Sequence, residues 1–170
     1  MKKLFKVALV AVGILFAGNF ANAQTKIGHI NFNQLIDLMP ETKTISTQLQ
    51  AYQKQFIDQL TTMNNEYTTK GTEFQKTSAT MTDAVRTVKA TELQDIQKRM
   101  QDYQNTAQQQ VEAKKNELGK PLFDKATAAV TAVAKEKGYT YVLDSSQVSL
   151  LVSPDADDLM AAVKLKLGLK

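Results

Sequence analysis

From residue 41 to about residue 137 the chain carries almost no turn signal, with glycine only at 71 and 119 and proline only at 121. A stretch of that length cannot be folded back and forth into a compact globule, because each reversal needs residues that tolerate turn geometry. Its background of Gln, Thr, Lys, Glu and Ala, with a thin row of large apolar residues, is the composition of long exposed helices. In the first half that row reads Ile45, Leu49, Tyr52, Phe56, Leu60, Met63, Tyr67, Gly71, Phe74, in steps of four, three, four, four, three, four, four and three. The pattern is an eleven-residue repeat at about 3.67 residues per turn, which keeps the stripe on one face of a nearly straight helix. Such a stripe is ordinarily a packing seam.

The large residues thin out between Phe74 and Val85, and the hydroxyl-rich run from Thr77 to Thr82 offers helix caps, so the tip of a hairpin is predicted there. A second arm follows with Val85, Val88, Leu93, Ile96, Met100, Tyr103, Ala107, Val111, Leu118 and Leu122 at helical spacing. At 1.5 Å per residue the first arm would be roughly 50 Å long, more than a globular domain of this mass needs, so the hairpin must protrude. Pro121, with Gly119 beside it, predicts a kink or short break before the second arm re-enters the body. Beyond it Leu122, Phe123, Ala126, Ala129, Val130 and Val133 make a broader apolar face suited to packing on a sheet.

Strand signals flank the hairpin. Ile27, Ile30 and Phe32 form a short β-type stretch, followed by a helical turn at Leu35, Ile36 and Leu38 that Pro40 ends. After Gly138, residues 139–143 and 148–152 are two β-prone runs separated by Asp144-Ser145-Ser146, which reads as a β-hairpin. Ser153-Pro154-Asp155 resembles a helix start, and 159–167 would be a closing amphipathic helix. The expected fold is α+β and mostly α: a small β-containing body carrying a long antiparallel helical hairpin. Its divisions are 24–40 for the first body segment, 41–121 for the arm, and 122–170 for the helix base, β-hairpin and closing helix.

Ahead of this, a basic start at Lys2, Lys3 and Lys6, an apolar run from 7 to 16, and Ala21-Asn22-Ala23 read as a signal peptide over 1–23, cut between Ala23 and Gln24. The apolar run is too short for a membrane anchor. Without the three leader lysines, 18 basic residues face 17 acidic ones, a net charge of +1. The basic pI therefore does not indicate a nucleic-acid partner.

Residue chemistry excludes most catalytic classes. There is no cysteine, so no thiolate metal site can form, and His29 is the only histidine, so no pair of imidazoles can hold a metal and a lone histidine without a nearby partner reads as structural or exposed. No Gly-rich phosphate loop or G-x-S-x-G elbow occurs. Asp155, Asp157 and Asp158 lack the spacing and glycine of a calcium loop. Lys70, Lys76, Arg86 and Lys89 near the tip are interleaved with Glu66, Glu73 and Asp83, a mixed solvated surface. No catalytic residue, cofactor or metal is expected.

A sheet of two or three short strands is marginal by itself and has open edges, so the body is expected to assemble with copies of itself. Ile27, Ile30, Val142 and Leu143 are the candidate interface residues. The arms' apolar residues with fewest expected neighbours, Tyr67, Phe74, Met81 and Met100, are the candidate binding contacts, methionine adapting readily to varied partners.

Three segments, Lys26-Ile27-Gly28-His29-Ile30-Asn31, Gly138-Tyr139-Thr140-Tyr141-Val142-Leu143-Asp144 and the ending from Asp157, resemble the Skp/OmpH family of periplasmic chaperones. That resemblance covers the whole chain after residue 23. It implies a periplasmic homotrimer whose hairpins surround a cavity holding unfolded outer-membrane proteins through many weak contacts, without nucleotide. Relatives with strongly basic arms differ from this Gln- and Thr-rich, charge-balanced hairpin, so the resemblance carries no lipopolysaccharide or membrane site onto this chain. The competing reading is a structural or adhesive coiled-coil module of the envelope. A stripe containing Gly71 and flanked by Gln does not resemble a tight zipper.

Overall fold

A computed structural model describes residues 25–169. The expected leader and its cleavage position between Ala23 and Gln24 lie outside the described residues. The elements run β1 (Ile27–Ile30), α1 (Phe32–Leu38), α2 (Pro40–Thr77), α3 (Asp83–Glu136), β2 (Tyr141–Asp144) and α4 (Met160–Leu167), with short 3-10 turns at Ser78–Thr80 and Asp155–Asp157. Each boundary has a local cause. The Asn31 side chain accepts the Gln34 amide at 2.9 Å and caps α1. Pro40 ends α1 as expected and also starts α2, where its missing N–H would have been unsatisfied anyway. Thr82 accepts the Val85 amide and opens α3. At the far end of α3, Gly138 takes φ 72°, and the amides of Gly138 and Tyr139 return to the carbonyls of Lys135 and Ala134.

Helices α2 and α3 form the antiparallel hairpin, at 1.5 Å per residue about 57 Å long on the α2 side. The half-buried residues of α2 from Ile45 onward are the nine of the expected row, joined by Lys70 and, at the tip, Thr77. Opposite them, Leu93, Ile96, Met100, Tyr103, Ala107, Val111, Leu118 and Leu122 complete the seam. Val85 and Val88 do not join it. Both are exposed, because the row read back from Leu93 in steps of three and four falls on half-buried Ala90 and Lys89 and misses them. The expected break at Pro121 is also absent: α3 runs unbroken from Asp83 to Glu136 with Pro121 inside it. Packing of Leu122, Ala126, Ala129 and Val133 against the body core just beyond outweighs the lost hydrogen bond.

The two strands pair in parallel, Ile27 opposite Tyr141 and Ile30 opposite Asp144, so the whole hairpin is the crossover between them. This corrects the expected β-hairpin of 139–143 with 148–152. Asp144 Oδ1 accepts the amide and hydroxyl of Ser146 at 2.9 and 2.7 Å and the Phe32 amide at 3.1 Å, turning the chain away from an antiparallel return. Residues 148–152 form no strand. The expected helix start at Ser153-Pro154-Asp155 yields only the short turn, and α4 begins later, where Asp158 accepts the Met160 amide at 2.8 Å.

The core lies where the inner face of β1, α1, the base of α3 and α4 meet: Ile30, Leu35, Met39, Leu122, Ala126, Ala129, Val133, Ala134, Leu159 and Val163. Gly28 is required there by close approach. A Cβ at that position would stand 2.4 Å from Leu159 Cδ1 and 3.0 Å from the Tyr139 ring.

Candidate functional site

Strand alternation divides the four candidate interface residues into two pairs. Ile30 is 2 % exposed and belongs to the core, and Val142 lies half-buried on the same inner side. Ile27 and Leu143 point the other way, at 49 % and 41 % exposure, with Tyr141 beside them. The sequence reading missed this division because a four-residue run of apolar and polar residues does not say which face meets a helix. Asp144 anchors the register. Burial works to raise its pKa, but the Ser146 hydroxyl, Ser146 amide and Phe32 amide outweigh that and hold the carboxyl below its ordinary range.

The sheet has one open edge. β1 is flanked by β2 on one side and by a bridge from His29 to Asp158 on the other, whereas β2 has no second neighbour among the described residues. Beside β2 lies a groove of about 410 Å³ lined by Phe32, Val130, Thr131, Tyr139 and Val142 among others. Nearby, Val148, Leu151 and Val152 lie outside any helix or strand, Leu151 at 95 % exposure. The body thus carries an open strand edge, an apolar outer sheet face and a β-prone apolar segment.

On the arms, Tyr67, Phe74, Met81 and Met100 are all half-buried in or at the end of the seam. The Tyr67 hydroxyl accepts a hydrogen bond from Gln97 on the opposite arm at 2.7 Å. Phe74 and Met81 come together at the tip with Leu93, rimmed by Lys70, Glu73, Lys89 and Glu92, while Tyr67 and Met100 lie outside this cluster. The large apolar residues that stand open on the arms are Ile57, Val85 and Val88. The five-residue step from Val88 to Leu93 was the signal that Val85 and Val88 leave the seam.

The seam changes character along its length. At the root, Ile45, Leu118, Pro121 and Leu122 line a groove of about 340 Å³. Glu41 pairs with Lys125 beside it, and this pairing holds the Glu41 carboxyl below its usual range. In the middle, Tyr52, Phe56 and Tyr103 pack in sequence with ring centroids 5.1 and 5.9 Å apart. Toward the tip, Lys70 bonds Glu92 at 2.5 Å and Arg99 approaches Glu66 at 4.0 Å.

No helix among the described residues is long and apolar enough to cross a membrane. None of their His, Asp or Glu side chains form a group that could hold a metal ion.

A two-stranded parallel sheet bridged by one protruding helical hairpin defines a hairpin-armed α+β protein with a small body. Residues 26–167 match the family described as outer membrane protein (OmpH-like), and the chain belongs to that family. It is similar to the chaperone protein Skp of Yersinia enterocolitica, 26 % identical over 170 residues that cover 96 % of this chain and 100 % of the relative. The chaperone protein Skp of Photorhabdus luminescens is 24 % identical, covering 90 % of this chain and 92 % of that protein. The fold matches the crystal structure of a putative outer membrane chaperone (OmpH-like) from Caulobacter crescentus CB15, with TM-score 0.67, 17 % identity and 85 % of each chain covered.

Proposed function

We propose that this protein is a periplasmic holdase that works without nucleotide, keeping unfolded outer-membrane proteins in a cavity between helical arms. The observation that carries this reading is the division of labour in the fold. The arms extend about 57 Å from the body with no buried residue anywhere in α2, while the unpaired apolar surface is concentrated on the body. A body with an open β2 edge and exposed Ile27, Tyr141 and Leu143 is stabilised by copies of itself, and a trimer places three hairpins around one space. Arms built this way can bend and offer small apolar contacts, which suits weak, repeated binding of unfolded chains. The relatives named as chaperones support the same role.

The test is suppression of aggregation of a denatured β-barrel outer-membrane protein diluted into buffer without nucleotide, with light scattering of the same sample to count subunits. Protection by a stable oligomer is expected. A folded monomer at micromolar concentration with no protective effect would leave the adhesive or structural coiled-coil reading standing instead.

A further inference from the structure

Three longer stretches separate the helices and strands, and they differ in how their backbone is held. At the arm tip, Arg86 donates to the carbonyls of Ser78 and Met81, each at 3.2 Å, and Thr82 caps α3. Between α3 and β2, the Tyr139 amide returns to Ala134 at 2.9 Å and the Thr140 amide to Lys26 at 2.8 Å. Between β2 and α4 only the two ends are pinned. The amides of Gln147 and Val148 return to the Asp144 carbonyl at 3.1 and 3.3 Å, and the Pro154 carbonyl accepts the Asp157 amide at 3.0 Å and meets the His29 ring nitrogen at 3.3 Å. No backbone hydrogen bond joins residues 149–153, between those pins, to any described residue. Leu151 and Val152 are also the most exposed large apolar side chains among the described residues, at 95 % and 87 %.

A protease must lift its substrate backbone into its own cleft, so a stretch already free of hydrogen bonds and burial is cut ahead of a helical one. Here the cut has a large structural consequence. The chain beyond Val152 carries Leu159 and Val163, 1 % and 0 % exposed in the body core. It is held by the Leu159 amide on the His29 carbonyl at 3.0 Å, by the Tyr139 hydroxyl on Asp157 at 3.0 Å and by Lys166 on Glu136 at 2.5 Å. Eight residues of α4 are too few to hold a helix by themselves, and covalent linkage is what keeps these contacts at high effective concentration. Once unlinked, the piece leaves and the core opens.

We propose that the Leu151–Val152 bond is a cleavage site for an endoprotease with an aliphatic primary pocket, open in the free subunit and closed in the assembled protein, so that unassembled subunits are the ones removed. Water adds across the C–N bond, leaving a carboxylate on Leu151 and an amino group on Val152. Only Ser145, Ser146 and Gln147 separate β2 from the apolar run that begins at Val148, so a copy seated on the open β2 edge keeps a protease from closing around that run. The closing rests on the assembly reading above. The site itself does not.

The test is limited digestion of the purified chain with chymotrypsin, which accepts leucine, sampled by intact mass while light scattering follows assembly at each protein concentration. The first products should end at Leu151 and begin at Val152, although Tyr52, Phe56, Tyr67 and Phe74 are better residues for that enzyme. Leu151→Asp should slow this cut in dilute, unassembled protein. The piece from Val152 should separate on size exclusion, with a fall in the thermal midpoint of what remains. Where nine-tenths of the chains are assembled, cutting should be about tenfold slower, because it follows the free fraction. A first cut within α2, α3 or the tip would overturn the site. A nicked chain that keeps its piece and its thermal midpoint would overturn the removal of subunits by this cut, and equal rates in free and assembled protein would overturn the closing. If the first cut falls after Leu151 but no assembly occurs at any concentration, the site stands and the assembly reading fails.

Discussion

Gly28→Ala places a methyl group where β1 meets Leu159, the residue just before α4, and Tyr139. The new Cβ would lie 2.4 Å from Leu159 Cδ1 and 3.0 Å from Tyr139 Cδ1, both far inside van der Waals contact. A long side chain at the surface would swing away at little cost. Leu159 cannot, because it is 1 % exposed and packed within the core of Ile30, Leu35, Ala126 and Val163. Overfilling a site of this kind costs about 1 to 3 kcal/mol. Leu159→Ala alone leaves a cavity and should cost about 2 to 5 kcal/mol. In the double variant the methyl added at position 28 enters space that Leu159 vacates, so the two losses should not add, with a coupling of about 1 kcal/mol or more. The measurement is urea unfolding followed by circular dichroism at 222 nm, since the chain has no tryptophan, at one fixed protein concentration so that assembly contributes equally. A cost below about 0.5 kcal/mol for Gly28→Ala, or strict additivity in the double variant, would refute the close approach of Gly28 to Leu159.

If the body assembles through the outer face as proposed, Leu143→Asp should leave the folded subunit intact and yield monomers in light scattering, whereas Val142→Asp, on the inner face, should lower the thermal midpoint of the subunit itself, since an unpaired charge there is costly. Asp144→Ala strands the Phe32 and Ser146 amides and should cost about 1 to 3 kcal/mol at pH 7 in urea unfolding. Because the folded-state pKa of Asp144 is lowered, its contribution is present above the unfolded value of about 3.9 and is lost as pH falls below it, so the wild-type advantage should shrink in that window. Pro121→Ala restores an amide inside α3 and should raise stability by about 1 to 3 kcal/mol, read as a higher melting temperature; a lower one would mean that the proline ring's place in the root groove matters more than the missing bond.

The hairpin was legible in the sequence because its information is local. The spacing from Ile45 to Phe74 sets the seam-facing side of α2, the Thr77–Thr82 run sets the reversal, and Gly138 stops α3, each through a pattern readable within a few residues. The absence of cysteine, of a second histidine and of phosphate-binding loops is likewise a property of the sequence alone. What only the tertiary structure decided is whatever depends on residues more than a hundred positions apart. The β-prone runs at 139–143 and 148–152 carry equal local preference. β2 forms because Ile27–Ile30 lies alongside it, with the Thr140 amide donating to the Lys26 carbonyl at 2.8 Å and Asp144 accepting from the Phe32 amide, while 148–152 pairs with no strand among the described residues. The same holds for faces. Ile30 and Ile27 carry the same side chain, but one is buried and the other open, because a two-residue period leaves the choice of side to the helix that packs against the sheet.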